Sequence, residues 1–349
     1  MTVRVLQWAL GNVGRNAVEG ILAHPDLELA GARVHSPEKV GRDVGELCGL
    51  GPLDVAAVGS MDEVVALAPD CVVYAPMLAD QDEIRALLRA GIDVVTPVGW
   101  FHAGDSPAVA ETQAACLDGG ATLHGTGIHP GGITEQLPLV LSGFCRDVRD
   151  VRAEEFSDIR TYATEFVVRD VMLFGKLPEE AAASPMVDLL GDGFGQSIRL
   201  VADGLGWSLD RDLRTTHEMA VATASIDTPV GVIAPGTVAA QRFEWTGTVG
   251  GVPRVSARVN WFMGEEHLDP AWTFGPEGER FEVELDAVPP VRTVFHGFQP
   301  PTLDTDLGRN EGIVATAMHC VNSVPAVVAA EPGIRTYLDL PLMPGRGTR

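Results

Sequence analysis

The chain has 349 residues, enough for two domains at roughly 150 residues each and for a sizeable buried core. Hydrophobic residues make up 46% and charged residues 21%, with 39 glycines and 24 prolines, usage that excludes a disordered or fibrous chain. Forty-eight acidic against 25 basic residues leave a formal charge of −23, a field that repels phosphate backbones and anionic lipid, so neither nucleic acid nor a membrane is expected as a partner.

Val3 to Leu6 reads as a strand ending at Gly11-Asn12-Val13-Gly14, and Val13, Ala17, Val18, Ile21 and Leu22 then recur at helical spacing up to His24-Pro25. Leu27–Val34 is a second strand. Val55–Val58, the helical Met61–Leu67, Cys71–Tyr74, the helical Asp82–Ala90 and Asp93–Thr96 continue the alternation. Ser106 is placed to cap a helix through Ala115, followed by a strand over Ala121–His124. Strands alternating with helices of about ten residues imply a parallel, doubly wound sheet with right-handed crossovers.

From about residue 150 the pattern changes. Val151–Ile159 alternates, and the strands Thr237–Gly247 and Val252–Phe262 flank Gly250-Gly251, the signal of an antiparallel hairpin. Phe281–Leu285 and Val291–Phe295 are further strands, and Gly191–Gly195 is expected as a mobile loop. Ile313–Ala330 reads as an apolar helix that Pro325 should kink or interrupt, returning to the first domain. The expected fold is α/β: a dinucleotide-binding domain over residues 1–135, joined by a helix at about 311–335, and an α+β domain on an antiparallel sheet over 136–310.

No run approaches 18 uninterrupted apolar residues and no signal peptide precedes Arg4, so a cytoplasmic protein is expected. Cys48, Cys71, Cys116, Cys145 and Cys320 form no C-x-x-C and read as reduced thiols; no metal site is expected.

Ala9-Leu10-Gly11-Asn12-Val13-Gly14 matches G-x-G-x-x-G except for Ala in the first place, where φ is expected to stay negative. Gly11 is where backbone approaches a pyrophosphate, Gly14 lets the helix pack close, and Arg15 adds a charge to the helix N-terminus. Residues 1–42 hold five basic residues against four acidic ones, while the rest carries the whole negative excess, as if a place were kept for an anion. At the tip of the second strand, Arg33-Val34-His35-Ser36-Pro37-Glu38-Lys39 offers a hydroxyl and cations rather than a carboxylate, which favours NADP, with NAD left open by Glu38. Ala9, Gly11, Asn12, Val13, Gly14, Arg15, His35, Ser36, Lys39, Ala75, Pro76 and Thr96 are the candidate cofactor-binding residues.

The chain holds three tyrosines and two lysines and no Y-x-x-x-K, so the chemistry of short-chain dehydrogenases is excluded. Hydride delivery to C=O or C=N needs a donor near the atom that gains electron density. His129, in the loop Gly125–Gly132, is one candidate; His102, just past the fifth strand, is another. By parity Glu155 is the carboxylate on the apolar face of its strand, and Tyr162 follows it. His319 lies in a polar stripe with Thr316 and Asn322 or Ser323 on the last helix. Each competes with a structural role. Trp100, Phe101 and Phe156 would give a pocket its hydrophobic wall.

Gln7-Trp8-Ala9-Leu10-Gly11-Asn12-Val13-Gly14, His35–Lys39, Gly125–Gly131, Asn322–Pro325, Pro332–Ile334 and Asp339–Pro341 resemble the dihydrodipicolinate reductase-like oxidoreductases, in the branch of 2,4-diaminopentanoate dehydrogenase and the native amine dehydrogenases. The resemblance spans the chain and implies a Rossmann domain, an α+β substrate and dimerisation domain, a homodimer, and hydride transfer between nicotinamide and a small organic carbonyl, imine or amine. It also implies a glutamate after the fifth strand that handles ammonia, but Thr96–His102 carries no carboxylate, which leaves carbonyl reduction open. A non-catalytic NADP-binding sensor is the alternative; a sugar dehydrogenase with Lys-Pro after the fifth strand is disfavoured by Thr96-Pro97.

Overall fold

The computed structural model describes residues 2–298 and 310–347. The chain divides into two compact units, Met1–Gly132 with Ile313–Arg349, and Ile133–Gly312.

In the first unit, β1 (Val3–Trp8), β2 (Leu27–Arg33), β3 (Ala57–Val58), β4 (Cys71–Tyr74), β5 (Asp93–Thr96), β6 (Thr122–Gly125) and a short strand at Gly333–Ile334 form one parallel sheet. From one edge its order is Gly333–Ile334, β6, β5, β4, β1, β2, β3, so the winding reverses between β1 and β4. Consecutive strand residues feed opposite faces. Val5, Val73 and Val95 pack with Ala17, Val18 and Ile21 of the helix Asn12–Ala23, while Leu6, Val72 and Val94 pack with Ile84, Leu87 and Leu88 of the helix Gln81–Arg89.

The last helix, Glu311–Val328, runs through Pro325 without interruption. Its Ala317, Cys320, Val321, Val324 and Val327 belong to the core of Val5 and Val18, and burial of residues on both sides of the proline holds the final turn. By length and composition this helix could cross a membrane, but here it is a core helix of the sheet.

The second unit carries a mixed sheet of β7 (Arg146–Asp158), β8 (Arg214–Ala222), β9 (Val238–Val249), β10 (Val252–Phe262), β11 (Leu268–Asp269), β12 (Arg280–Val288) and β13 (Val291–Phe295), in the order β11-β8-β9-β10-β7-β12-β13. Every pair is antiparallel except β7 with β10. Gly250 and Gly251, at φ 57° and 79°, make the tight β9–β10 turn.

Gly191–Gly195 is not a loop: it lies inside the helix Met186–Gly204. A Cβ on Gly191 would stand 3.0 Å from Trp245 Nε1, and Phe194 stacks on Trp245 with ring centres 4.6 Å apart. Close packing of this helix on β9 overrides the poor helix propensity of three glycines.

Candidate active site

The phosphate turn departs from expectation at its first residue. Ala9 adopts φ +69°, a left-handed conformation that costs a non-glycine residue about 1 kcal/mol. It is held there by its amide, which donates to Arg33 O at 2.9 Å, and by Gln7 Nε2, which donates to Ala9 O at 3.1 Å. The glycines divide their work. A Cβ on Gly14 would lie 2.0 Å from Ala9 O, so Gly14 is demanded by the fold itself. Gly11 has φ −74° and no atom within 4 Å of the corresponding position, so nothing in the protein requires a glycine there.

The helix that follows is unlike its neighbours. Those starting at Val44, Met61, Gln81 and Pro107 are capped by the side chains of Asp43, Ser60, Asp80 and Ser106. The helix Asn12–Ala23 has no side-chain cap and no acidic residue in its first turn, in a chain with 48 carboxylates. Its first amides and the positive end of its dipole face an exposed Gly11, a cradle that fits a diphosphate. Arg15 is exposed on the same turn, whereas Arg4 is spent on the carbonyls of Leu67 and Ala68, at 2.7 and 2.8 Å.

At the end of β2, His35 is exposed and Ser36 and Lys39 are half-buried. Arg33 stacks over Trp8 at 4.9 Å, touches His35 Nδ1 and lies 3.6 Å from Glu83. Burial first, then the Arg33 cation, holds the His35 imidazole below its ordinary value. Glu83 also accepts from the Tyr74 hydroxyl at 2.7 Å. Ala75 and Pro76, half-buried, continue from β4 at the reversal of winding.

Thr96 closes β5 fully buried, its Oγ1 accepting from Val98 N at 3.1 Å and its carbonyl from Thr126 N at 2.8 Å. Beyond it, Gly99 and Trp100 are both left-handed, at φ 82° and 65°. A Cβ on Gly125 would lie 2.3 Å from Gly99 O, so the loops after β5 and β6 touch through backbone. His102 and His129 are half-buried in these two loops, and Trp100 and Phe101 are buried. His319 Nδ1 lies 2.6 Å from Thr126 Oγ1, and the same hydroxyl meets the Tyr337 phenol.

In the second unit Glu155 Oε1 accepts from Ser157 Oγ at 2.7 Å and from Trp261 Nε1 at 3.2 Å. β7 pairs Ser157 with Trp261 of β10, and Glu155 with Phe281 of β12, which places Glu155, Ser157 and Trp261 on one face. Burial pushes the Glu155 carboxyl up to about 7, outweighing the two donors. Burial likewise pushes Glu279 up to about 7, with Asp158 and Glu155 adding negative charge against the Asp158 N–H bonded at 2.8 Å. Burial and these two glutamates push the Tyr162 phenol up, so it keeps its proton. Phe156 points to the opposite face, under the Arg280 guanidinium at 3.7 Å, and shares no face with Glu155.

Thus His319 joins Thr126 and Tyr337, and Glu155 lies with Tyr162. Ser157, Trp261 and Glu279 complete the surroundings of Glu155, and Thr126 and Tyr337 those of His319. Parity of β7 pointed to Ser157, but Trp261, Glu279 and Tyr337 come from remote chain segments that only pairing brings in. Among the described residues no group of three His, Cys, Asp or Glu could hold a metal.

Residues 5–96 match the family described as dihydrodipicolinate reductase, N-terminus, and residues 133–258 match the 2,4-diaminopentanoate dehydrogenase C-terminal domain. The amine dehydrogenase of Streptomyces virginiae is 33% identical, covering 99% of this chain and 98% of its own. The 2,4-diaminopentanoate dehydrogenase of Acetoanaerobium sticklandii is 23% identical, covering 97% and 94%. The solved amine dehydrogenase of Mycobacterium smegmatis shares the fold, with a TM-score of 0.78 at 22% identity over 99% of this chain and 98% of that one. The chain is an NAD(P)-dependent oxidoreductase, and it belongs to the amine dehydrogenase and 2,4-diaminopentanoate dehydrogenase family of dihydrodipicolinate reductase-like enzymes.

Proposed function

We propose that this is a cytoplasmic, homodimeric, NADP-preferring dehydrogenase of a small or medium organic amine, imine or carbonyl. The first unit holds the dinucleotide, and the second handles the substrate's nitrogen or oxygen. The observation that carries the reading is the uncapped, carboxylate-free helix after β1 with open space at Gly11. An anion supplies what no side chain does there.

Nicotinamide, when bound, accepts the hydride in the oxidative direction and returns it in the reductive one. A substrate ammonium must first lose a proton, because its nitrogen lone pair is tied up in an N–H bond. Glu155 suits that step: buried, and titrating at about 7, it changes protonation at neutral pH. Tyr162, which keeps its proton, donates a hydrogen bond to a carbonyl or imine substrate, and His129 and His102 are the further donors proposed from the loops after β6 and β5.

Nicotinamide fluorescence on binding, followed by a turnover screen over amines, ketones and aldehydes with and without ammonia, tests the reading. Tight binding with no turnover of any compound points to the sensor instead. Preference for NADP rests on Ser36, Lys39 and Arg33 at the tip of β2. Ser36→Asp is expected to shift the NADP-to-NAD ratio of kcat/KM at least about tenfold toward NAD, because a carboxylate repels the 2′-phosphate and bonds the 2′-hydroxyl. An unchanged ratio places the 2′ group elsewhere.

The dimer reading is supported by the second face of the β7 sheet, where opposite charges alternate. Arg152 meets Glu154 at 3.2 Å, Arg258 meets Glu244 at 3.0 Å, and Arg292 meets Glu282 at 3.2 Å. Arg152, Arg258 and Arg292 each keep partial exposure for a partner of like pattern. Sedimentation velocity is expected to give a dimer that loosens as salt rises; a monomer at all concentrations defeats this part.

A further inference from the structure

Trp8, the last residue of β1, is aligned with Arg33 of β2 on one side and with Tyr74 of β4 on the other. These residues end the strands around the reversal of winding, beside the phosphate turn, where Ala9 N donates to Arg33 O. The Arg33 guanidinium lies over the Trp8 ring at 4.9 Å, and Tyr74 packs against the same indole with ring centres 5.4 Å apart. A fourth group joins them from outside the strands. Glu83, in the first turn of the helix Gln81–Arg89, sets one carboxylate oxygen 3.6 Å from Arg33 and accepts from the Tyr74 hydroxyl on the other at 2.7 Å. Tyr74 is itself held, its oxygen accepting from Asp80 N at 3.0 Å.

The tip of β2 is where the adenosine ribose of a dinucleotide is read: a carboxylate there bonds a 2′-hydroxyl, and an arginine accommodates a 2′-phosphate. Here both are present, and they face each other. Burial and then the Arg33 cation hold His35 below its ordinary value, so near pH 7 the positive charge at this corner is that of Arg33 and Lys39. Glu83 opposes the first of them. The Arg33 and Glu83 side chains keep 14% and 24% exposure, next to an exposed His35, so the pair sits at the surface, within reach of a ligand laid along the tip. A partly exposed pair at this distance is weak and yields to a phosphate, which binds guanidinium more strongly. The carboxylate does not leave with it. Held by Tyr74, it stays beside the phosphate as a charge of the same sign.

We propose that Glu83 is a specificity-determining residue, which holds Arg33 back from the 2′-phosphate and so keeps the preference for NADP narrow enough for NAD to serve as well. The assignment rests on the dinucleotide reading above. NAD, with its 2′-hydroxyl, leaves the pair intact. NADP draws Arg33 away, and the stack on Trp8 keeps the guanidinium oriented once Glu83 lets go. The acid was hidden from a reading of the β2 tip because it stands on the helix after β4.

Calorimetric titration of the full chain with NADP, NAD, 2′,5′-ADP and 5′-AMP tests the assignment, since each phosphorylated ligand differs from its partner only at the 2′ position. Glu83→Gln, which keeps an acceptor for Tyr74, is expected to tighten NADP and 2′,5′-ADP about three- to tenfold while NAD and 5′-AMP stay within about twofold. In an Arg33→Gln background the same change should gain less than about twofold. Glu38→Gln, which removes an exposed acid at the same corner, should move all four ligands by less than about twofold. Equal tightening of all four by Glu83→Gln, no change in any, or weaker binding of NADP overturns the role, as does a gain that survives without Arg33. Wild-type protein that binds neither dinucleotide overturns the dinucleotide reading instead, and the role of Glu83 falls with it.

Discussion

Gly14→Val is expected to abolish folding of the first unit, while Gly11→Asp should leave the melting temperature nearly unchanged and remove dinucleotide binding. The two positions are three residues apart in one motif, but their surroundings are opposite. At Gly14 an added Cβ falls 2.0 Å from Ala9 O and 3.0 Å from both the Ala9 carbonyl carbon and Gln7 Nε2. Neither partner can retreat: the Ala9 amide is bonded to Arg33 O, and fully buried Gln7 bonds the carbonyls of Trp8 and Ala9 at 3.0 and 3.1 Å. A backbone clash in a packed layer costs more than about 4 kcal/mol, against a total stability of roughly 5–15 kcal/mol. At Gly11 the added atoms meet nothing, and φ −74° suits any residue. Aspartate is at least as good an N-cap as glycine, so stability should change by only a few tenths of a kcal/mol, about 0.5 at most. An aspartate at the helix N-terminus occupies the anion's place with a charge of the same sign, so affinity should fall more than about 100-fold. Thermal melts with and without NADP and NAD read both effects. A Gly11→Asp protein that binds like wild type removes the basis of the proposed function.

Glu155→Gln should lower kcat for an amine by about 10²- to 10⁴-fold and make the protein less sensitive to alkali. The activity loss follows from removing the base, and the limb of the pH profile with an apparent pKa near 7 should go with it. The stability effect follows from linkage. Burial raises the folded-state pKa from the ordinary 4.5 to about 7, so the folded protein binds this proton more tightly than the unfolded chain does. The resulting stability is complete below about pH 4.5 and is lost as pH rises through about 7, on the order of 3 kcal/mol in all. Glutamine keeps the donors and the shape without the titration. The difference in unfolding free energy between variant and wild type should therefore move in the variant's favour between pH 5 and pH 8. Glu279, titrating in the same range, keeps part of the slope in both proteins. Denaturant melts at the two pH values that give a constant difference would show that Glu155 ionises freely, and its proposed role as base would fail.

Local signals determined much of this protein. The strand, turn and helix over residues 3–23 follow from a short apolar run, a glycine turn and helical spacing, all within one stretch of chain. Ser106 caps its helix, bonding Val109 N at 3.2 Å, because the cap lies three residues from its partner. The Gly250-Gly251 hairpin needs two left-handed residues, which the sequence supplies directly. Parity along β7 placed Glu155 on the apolar face, since side chains alternate whatever the strand pairs with.

Tertiary structure decided the rest, wherever a partner distant in sequence outweighed a local preference. Ala9 is forced left-handed by bonds to Gln7 and Arg33, although its type favours negative φ. Gly191 and Gly195 sit inside a helix where Trp245 of β9 and Leu213 come close to their Cα positions. β8 begins as Arg214-Thr215-Thr216, largely exposed, and becomes a strand by pairing with β9. Each of Glu155 and His319 has a partner more than a hundred positions away, Trp261 beside Glu155 and Thr126 beside His319. No periodicity reports such a meeting. Hydrogen bonding across strands and helices, not spacing along the chain, creates it.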